Sequence, residues 1–279
     1  MEFMEELHRY EKEALAALIG LCEAHGLTYY VIGGTLLGAV RHRGFIPWDD
    51  DVDIAMPRQD YDRLLCLRDS LPRPYVLEDY HFTKDFRSYF AKVRNTEIEL
   101  REELTDNAAD RRVGYLIDIL PIDGTPNRTL CRKLYYARVM GLRFLCGAAN
   151  VHTGIRTSRP KAEQRLLRLC RALRLYRILH CKSIYHRMDQ VFHRQDVRCA
   201  DYVGTITGAY KTREIVPRRY FGMEEPARYL PFEGLSVRVP ARYENYLRHM
   251  FGDYRQLPPE NERKVHYQGV IYRKQETKE

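Results

Sequence analysis

The sequence predicts an α+β fold, a mixed sheet with flanking helices and a helical insertion. Three observations predict it. The first seventy residues alternate between three- and four-residue apolar spacing and short β-branched or aromatic runs, in the order helix, strand, helix, strand, helix. Further strand-like runs follow at 75–77, 86–93 and 115–120, and again at 202–206 and 235–239. Between these groups lie residues 128–147 and 160–195, rich in Leu, Arg and Tyr at helical spacing. At 279 residues the chain is long enough for one large domain or two small ones.

Taken in order, Met4, Leu7, Tyr10, Ala14, Leu18 and Leu21 mark an amphipathic helix, and Gly26 its stop. Residues 28–32 read as a strand running into Gly33-Gly34-Thr35, where a short helix begins with Leu36, Leu37 and Val40 on its inner face. The chain turns through Gly44 and Pro47 into a second strand at 52–56, and Pro57 suits the first turn of a helix over 58–69. A polar break at 153–160 interrupts the later helices. A helix over 241–250 leads to a Gly-Asp-Tyr turn and Pro258-Pro259, and residues 274–279 are expected to fray. No internal repeat is present in the sequence.

With 44% apolar and 30% charged residues and scattered Gly and Pro, the composition excludes a disordered, collagenous or low-complexity chain. No apolar run approaches the ~18 residues of a membrane span, and Glu2, Glu5 and Glu6 do not open a secretory signal, so a cytoplasmic location is expected. Seven cysteines without a C-x-x-C pair read as reduced thiols, mostly in the core. Net charge is +8, and residues 155–200 alone hold 12 Lys/Arg against 3 Asp/Glu, so the basic excess sits in one segment.

The densest chemical feature is Asp49-Asp50-Asp51-Val52-Asp53-Ile54. On a strand Asp51 and Asp53 share a face, Asp49 joins them, and Val52 and Ile54 turn to the core. Carboxylates so close repel unless a cation neutralises them, and hard oxygen ligands suit Mg²⁺ or Mn²⁺. An EF-hand fails because Ile54 stands where its loop needs Gly. A glycosyltransferase D-x-D remains an alternative, although only one strand precedes it. Gly33-Gly34-Thr35, between a strand and a helix start, allows backbone N–H groups to approach a phosphate. A further acid, Asp118, is set in the apolar run 115–119, where burial without a partner is costly.

The order strand, Gly-Gly-Thr, helix, Asp-x-Asp strand, later strand Asp resembles the nucleotidyltransferase fold typified by DNA polymerase β. Within it, GGTLLGAVRHRGFIPWDDDVDIAMPRQDYDRL, GYLIDILPID at 114–123 and FGDYRQLPP at 251–259 resemble the LicD family, whose eukaryotic relatives include the fukutin-related proteins. The resemblance runs from about residue 11 to 266, strongest over 29–64. It implies a nucleotidyltransferase-like catalytic core over 1–127, a basic helical region over 128–200, and C-terminal strands and helix over 201–279 that complete the LicD-type domain. It also implies transfer of a substituted phosphoryl group, such as phosphocholine from CDP-choline or ribitol phosphate from CDP-ribitol, to a hydroxyl of a cell-surface glycan precursor, with CMP released. Asp51 and Asp53 match the family's metal-binding pair, Asp49 the acid before it, Asp118 the third acid, and Gly34 and Thr35 the glycine turn. The Cys-rich insertion of some eukaryotic members has no counterpart, so no zinc is implied.

On this reading Asp51, Asp53 and Asp118 are the catalytic candidates and, with Asp49, the Mg²⁺ or Mn²⁺ ligands. Asp118 serves either as a second-metal ligand or as base to the acceptor hydroxyl. Gly33, Gly34, Thr35, Arg41, Lys92 and Arg94 are the phosphate- and donor-binding candidates, and His42 and His266 candidate proton carriers or phosphate donors. The expected partners are a CDP-activated alcohol and a glycan or lipid-linked glycan. The 155–200 helices could steer these or rest peripherally on the inner membrane face, although Arg165, Arg168, Arg171, Arg174 and Arg177 spread around a helix. No nucleic-acid module is visible. An NTP-using nucleotidyltransferase and a non-catalytic nucleotide- or glycan-binding relative are the competing readings.

Overall fold

The structure, a computed structural model, describes residues 2–84, 86–102, 112–155, 159–207, 211–259 and 267–273. Helix α1 (Glu2–Ala24) buries Leu7, Ala14, Leu15 and Leu18. Strand β1 (Tyr30–Val31) leads into α2 (Gly33–Arg41), and β2 (Val52–Pro57) into α3 (Arg58–Cys66). Strands β3 (Tyr75–Glu78), β4 (Ala91–Asn95), β5 (Ile98–Glu102), β6 (Arg112–Val113) and β7 (Tyr115–Gly124) follow. Helices α4 (Thr129–Ala149), α5 (Lys161–Ala172) and α6 (Cys181–Phe192) come next. The chain then forms β8 (Tyr202–Gly204), β9 (Ile215–Pro217), β10 (Arg228–Phe232), β11 (Leu235–Val239), α7 (Tyr243–Phe251) and β12 (Tyr267–Arg273).

Among the described residues the main sheet runs β1-β2-β7-β4-β3, with β8 pairing the far end of β7 and β9 pairing β8. It is mixed, because β2 and β7 are parallel while the other pairings are antiparallel. Strand β7 is central, and Leu116, Ile117, Ile119, Leu120 and Ile122 are all buried, the near-continuous apolar run of a strand covered on both faces. Strand β12 pairs β5, and β10 with β11 forms a hairpin. Among the described residues no helix is long and apolar enough to cross a membrane.

Several expectations shift. The helix read over 160–195 is two helices, separated by a left-handed Arg174 (φ 54°) and a 3₁₀ turn at Leu175–Arg177. Two packing targets require the break. Leu167 and Cys170 of α5 join Ala148, Val151 and Ile155, whereas Ile184, Met188 and Phe192 of α6 pack with Tyr135 and Val139 of α4. The strand read over 86–93 begins only at Ala91, because Phe86, Tyr89 and Phe90 leave the sheet to wall a cavity. The strand read to 120 continues to Gly124 through Pro121, a residue that reads as a strand end. All seven cysteines are free thiols, yet only Cys22, Cys146 and Cys170 are buried.

Candidate active site

Strand register alone lines up three of the candidate residues. Asp53 on β2 stands opposite Asp118 on β7, and Asp118 stands opposite Lys92 on β4, giving one row across three adjacent strands. The Lys92 ammonium donates to the Asp118 carboxylate and lies 5.2 and 5.4 Å from the ring centres of Phe90 and Tyr115. Asp51, just before β2, completes the set: ligand oxygens of Asp51, Asp53 and Asp118 lie within 4.8 Å of one another.

The helix start before β2 is shaped around these acids. Gly33 has a φ of 56°, and a Cβ on Gly33 or Gly34 would overlap the carboxylate of Asp53 or Asp49 respectively. Both glycines therefore let acids close on the first turn of α2, whose unpaired N–H groups carry partial positive charge. Thr35 is buried, and its Oγ1 accepts the Asp53 amide at 2.9 Å, which fixes the strand that carries the acid. Desolvation, then the charges of Asp51, Asp118 and Asp49, push the Asp53 carboxyl well above the ordinary range, with Lys92 opposing them. A like-charged, all-oxygen set of this kind fits a hard divalent cation such as Mg²⁺ or Mn²⁺.

Helix α1 supplies a floor that the sequence reading missed. Glu11 is fully buried, and neither carboxylate oxygen has a hydrogen-bond partner among the described residues. Burial first, then the charges of Asp51, Asp50 and Asp49, raise its pKa well above the usual value. The signal was available: Glu11 falls in the Leu7, Ala14, Leu18 stripe, where an acid interrupts an apolar face. His8, one turn earlier, stacks on Phe45 at 4.2 Å, and its Nε2 donates to the Asp49 carbonyl at 2.7 Å.

The remaining candidates are distributed less uniformly. The Arg41 guanidinium donates to the carbonyl of Gln256, so α2 is tied to the 251–259 motif. Arg94 pairs with Glu78 at 2.8 Å, and Glu78 also accepts from Tyr115 at 2.9 Å. His42 is exposed at the end of α2, its pKa lowered by desolvation and by Arg41. His266 lies outside the described residues.

A cavity of about 280 Å³ opens beside Asp118 and Lys92. Tyr89, Phe90, Tyr115 and Tyr185 contribute to its wall, and Arg143 and Arg159 reach it from the 128–200 region. Among the described residues that line it, Asp118 is the one acid beside Arg87, Lys92, Arg143 and Arg159, so its rim is electropositive.

A model of the LicD/FKTN/FKRP nucleotidyltransferase domain matches residues 26–105. Over that segment the chain is similar to the LicD family. The fold is accordingly nucleotidyltransferase-like, a curled mixed sheet with flanking helices. The matched LicD segment contains the glycine turn, Asp49, Asp51, Asp53 and Lys92, while Asp118 follows it. The lipopolysaccharide cholinephosphotransferase LicD of Haemophilus influenzae is 29% identical over 255 residues, 88% of this chain and 89% of that protein. The ribitol 5-phosphate transferases FKRP of mouse and human are 45% identical over 57 residues, 20% of this chain and 12% of theirs.

Proposed function

We propose that the chain transfers a substituted phosphoryl group from a CDP-activated alcohol to a hydroxyl of a cell-surface glycan precursor and releases CMP. The observation that carries this reading is the convergence of Asp51, Asp53 and Asp118 within 4.8 Å, beside an electropositive cavity. The two LicD-type transferases named above support it, one by its name a cholinephosphotransferase and the other a ribitol 5-phosphate transferase.

Asp51 and Asp53 would hold Mg²⁺ or Mn²⁺, with Asp118 and Asp49 beside them. Bound there, the ion would act as a Lewis acid on the donor diphosphate. Asp118 would accept the proton of the attacking hydroxyl as its oxygen bonds to phosphorus and the phosphorus–oxygen bond to CMP breaks. Lys92 orients Asp118 through their ion pair and would offer its ammonium to a donor phosphate oxygen. Arg143, whose pKa burial lowers, and Arg159 would draw the anionic donor into the cavity. Incubation with Mg²⁺ and a panel of CDP-alcohols and NTPs tests the reaction class. CMP formed with a modified acceptor is the expected result, whereas pyrophosphate release would assign nucleotidyl transfer instead.

We also place the acceptor at an anionic membrane face. Helix α5 exposes Leu166, Leu169 and Leu173 at 49%, 53% and 62%, while Leu167 and Cys170 turn inward. Arg165, Arg168 and Arg171 are interleaved with that apolar stripe, the pattern of an interfacial helix. Co-sedimentation with vesicles containing anionic lipid should fall when Leu166 and Leu169 become Ser or the three arginines Gln. Equal sedimentation of parent and variants would leave α5 a solvated face.

A further inference from the structure

A second polar centre sits where the loop after β3 meets α6. His81 follows β3, and His186 and Asp189 stand one turn apart on α6. One ligand atom from each lies within 4.8 Å of the other two. The surroundings sort these atoms chemically. His81 Nδ1 bonds to Asp79, a carboxylate 2% exposed, which leaves Nε2 facing Asp189 Oδ2 at 3.5 Å. With the proton on Nδ1, that approach sets two lone pairs against each other, so something positive belongs between them.

The other Asp189 oxygen is already engaged. Oδ1 accepts the Tyr89 hydroxyl at 2.6 Å and lies 3.6 Å from Arg58, which fixes the carboxylate with Oδ2 toward the histidines. Desolvation raises the Asp189 pKa to about 6, against the opposing charges of Arg58 and His193. Charge in the neighbourhood is unbalanced as well. Arg58 is within 4 Å of Asp62, Asp123 and Asp189, and Asp79 lies just beyond on His81. Three carboxylates thus surround one guanidinium, and Asp62 also faces His193 at 3.2 Å.

We propose that His81, His186 and Asp189 bind a borderline transition-metal ion, Zn²⁺ foremost, that staples the loop after β3 to α6. Two imidazoles and one carboxylate are a common Zn²⁺ donor set, with water in the fourth position. Asp79 then plays the part of the carboxylate that holds the far nitrogen of a metal-bound histidine. Imidazole ligands disfavour Mg²⁺, so this centre is chemically separate from the all-oxygen Asp51, Asp53, Asp118 set. Lys182, which donates to the His81 carbonyl at 2.8 Å, already ties the same loop to the same helix.

The test uses the full chain in excess Mg²⁺, titrated with Co²⁺ as a visible probe and with Zn²⁺ as competitor. One equivalent of Co²⁺ should give a ligand-field spectrum of a nitrogen- and oxygen-bound ion, displaced by Zn²⁺, and the melting temperature should rise with metal. His186 is exposed, so His186→Ala should fold normally and bind more than about 100-fold more weakly, and Asp79→Asn about 10-fold more weakly. Failure of the parent to take up one equivalent would overturn the site, and so would unchanged uptake by His186→Ala. A protonated His81 between Asp79 and Asp189 would then be the whole explanation. None of these readouts depends on the transfer reaction.

Discussion

The same two neighbouring strands build two charged centres of opposite character. Asp53 on β2 is in register with Asp118 on β7, and five residues further along each chain Arg58 meets Asp123. At the first position acid faces acid. At the second, Arg58 donates from Nε and Nη2 to the two Asp123 oxygens, both at 2.6 Å, with the two side chains 9% and 2% exposed. Burial works against the Arg58 charge, and Asp123 together with Tyr89 and Tyr61 outweighs it. One change of sign thus separates a saturated ion pair, which locks the start of α3 to the end of β7, from an unsaturated set that is costly until a cation arrives. Chemistry is expected where like charges gather, and rigidity where opposite charges pair.

The largest expected effect follows from the unsaturated end. Asp51→Asn or Asp53→Asn should reduce transfer to a few per cent or less, because each removes an anionic oxygen ligand. The fold should survive, and melting without metal should hold or rise, since each substitution relieves repulsion with the neighbouring acids. Activity and melting measured together check both halves. Substantial turnover at saturating Mg²⁺ would remove these residues from the metal site, and a large drop in melting would make them structural.

At the saturated end the balance should invert. Arg58→Met strands Asp123 without its partner, and loss of one member of a buried pair costs about 3–5 kcal/mol. Removing both charges in Arg58→Met with Asp123→Leu should recover much of that loss, since an apolar pair of similar volume needs no compensation. Chemical denaturation of the two variants measures the difference. A double variant no more stable than the single one would show that Asp62, Asp189 and Tyr89, and not Asp123, set the requirement for Arg58.

How far this contrast was legible differs along the strands. The alternation around Asp51 and Asp53, the Gly-Gly turn and the acid in the β7 run were readable because each is a local pattern of period two or a missing side chain. Asp118 opposite Lys92 was not readable as a pair, since antiparallel register is set by contacts 26 residues apart. Arg58 and Asp123, 65 residues apart, looked like ordinary charges at element ends until the parallel pairing of β2 and β7 joined them. The second sheet escaped for the same reason, because β12 finds β5 across most of the chain. Arg174 broke the α5 to α6 stretch with neither Gly nor Pro to announce it.

Asp118→Asn sharpens the contrast inside the unsaturated site. Asp118 is held by a cation, Lys92. A base or a ligand acting chiefly in the transition state should lower kcat far more than it weakens donor binding. Rates measured with a saturating acceptor, beside donor affinity by calorimetry, separate these. Equal losses in both would assign Asp118 and Lys92 to donor binding.

The smallest effect belongs to the rim of the saturated centre. His193 Nε2 lies 3.2 Å from Asp62, and its Nδ1 donates to the Asp189 carbonyl at 2.8 Å, so both ring nitrogens face acceptors. The hydrogen bond to Asp62 is the main cause that raises the His193 pKa above 6.5. A raised histidine favours the folded state fully below pH 6.5, its unfolded value, and that contribution fades as pH climbs through the higher folded value. Both side chains are nearly half exposed, so solvent screening limits the contribution to a few tenths of a kcal/mol, about the lower end for surface pairs. His193→Gln should therefore melt slightly below the parent at pH 5.5 and together with it at pH 9, and the gap should shrink further in high salt. A gap of equal size at both pH values would mean that His193 acts through packing on α6 and adds nothing to the charge balance around Arg58.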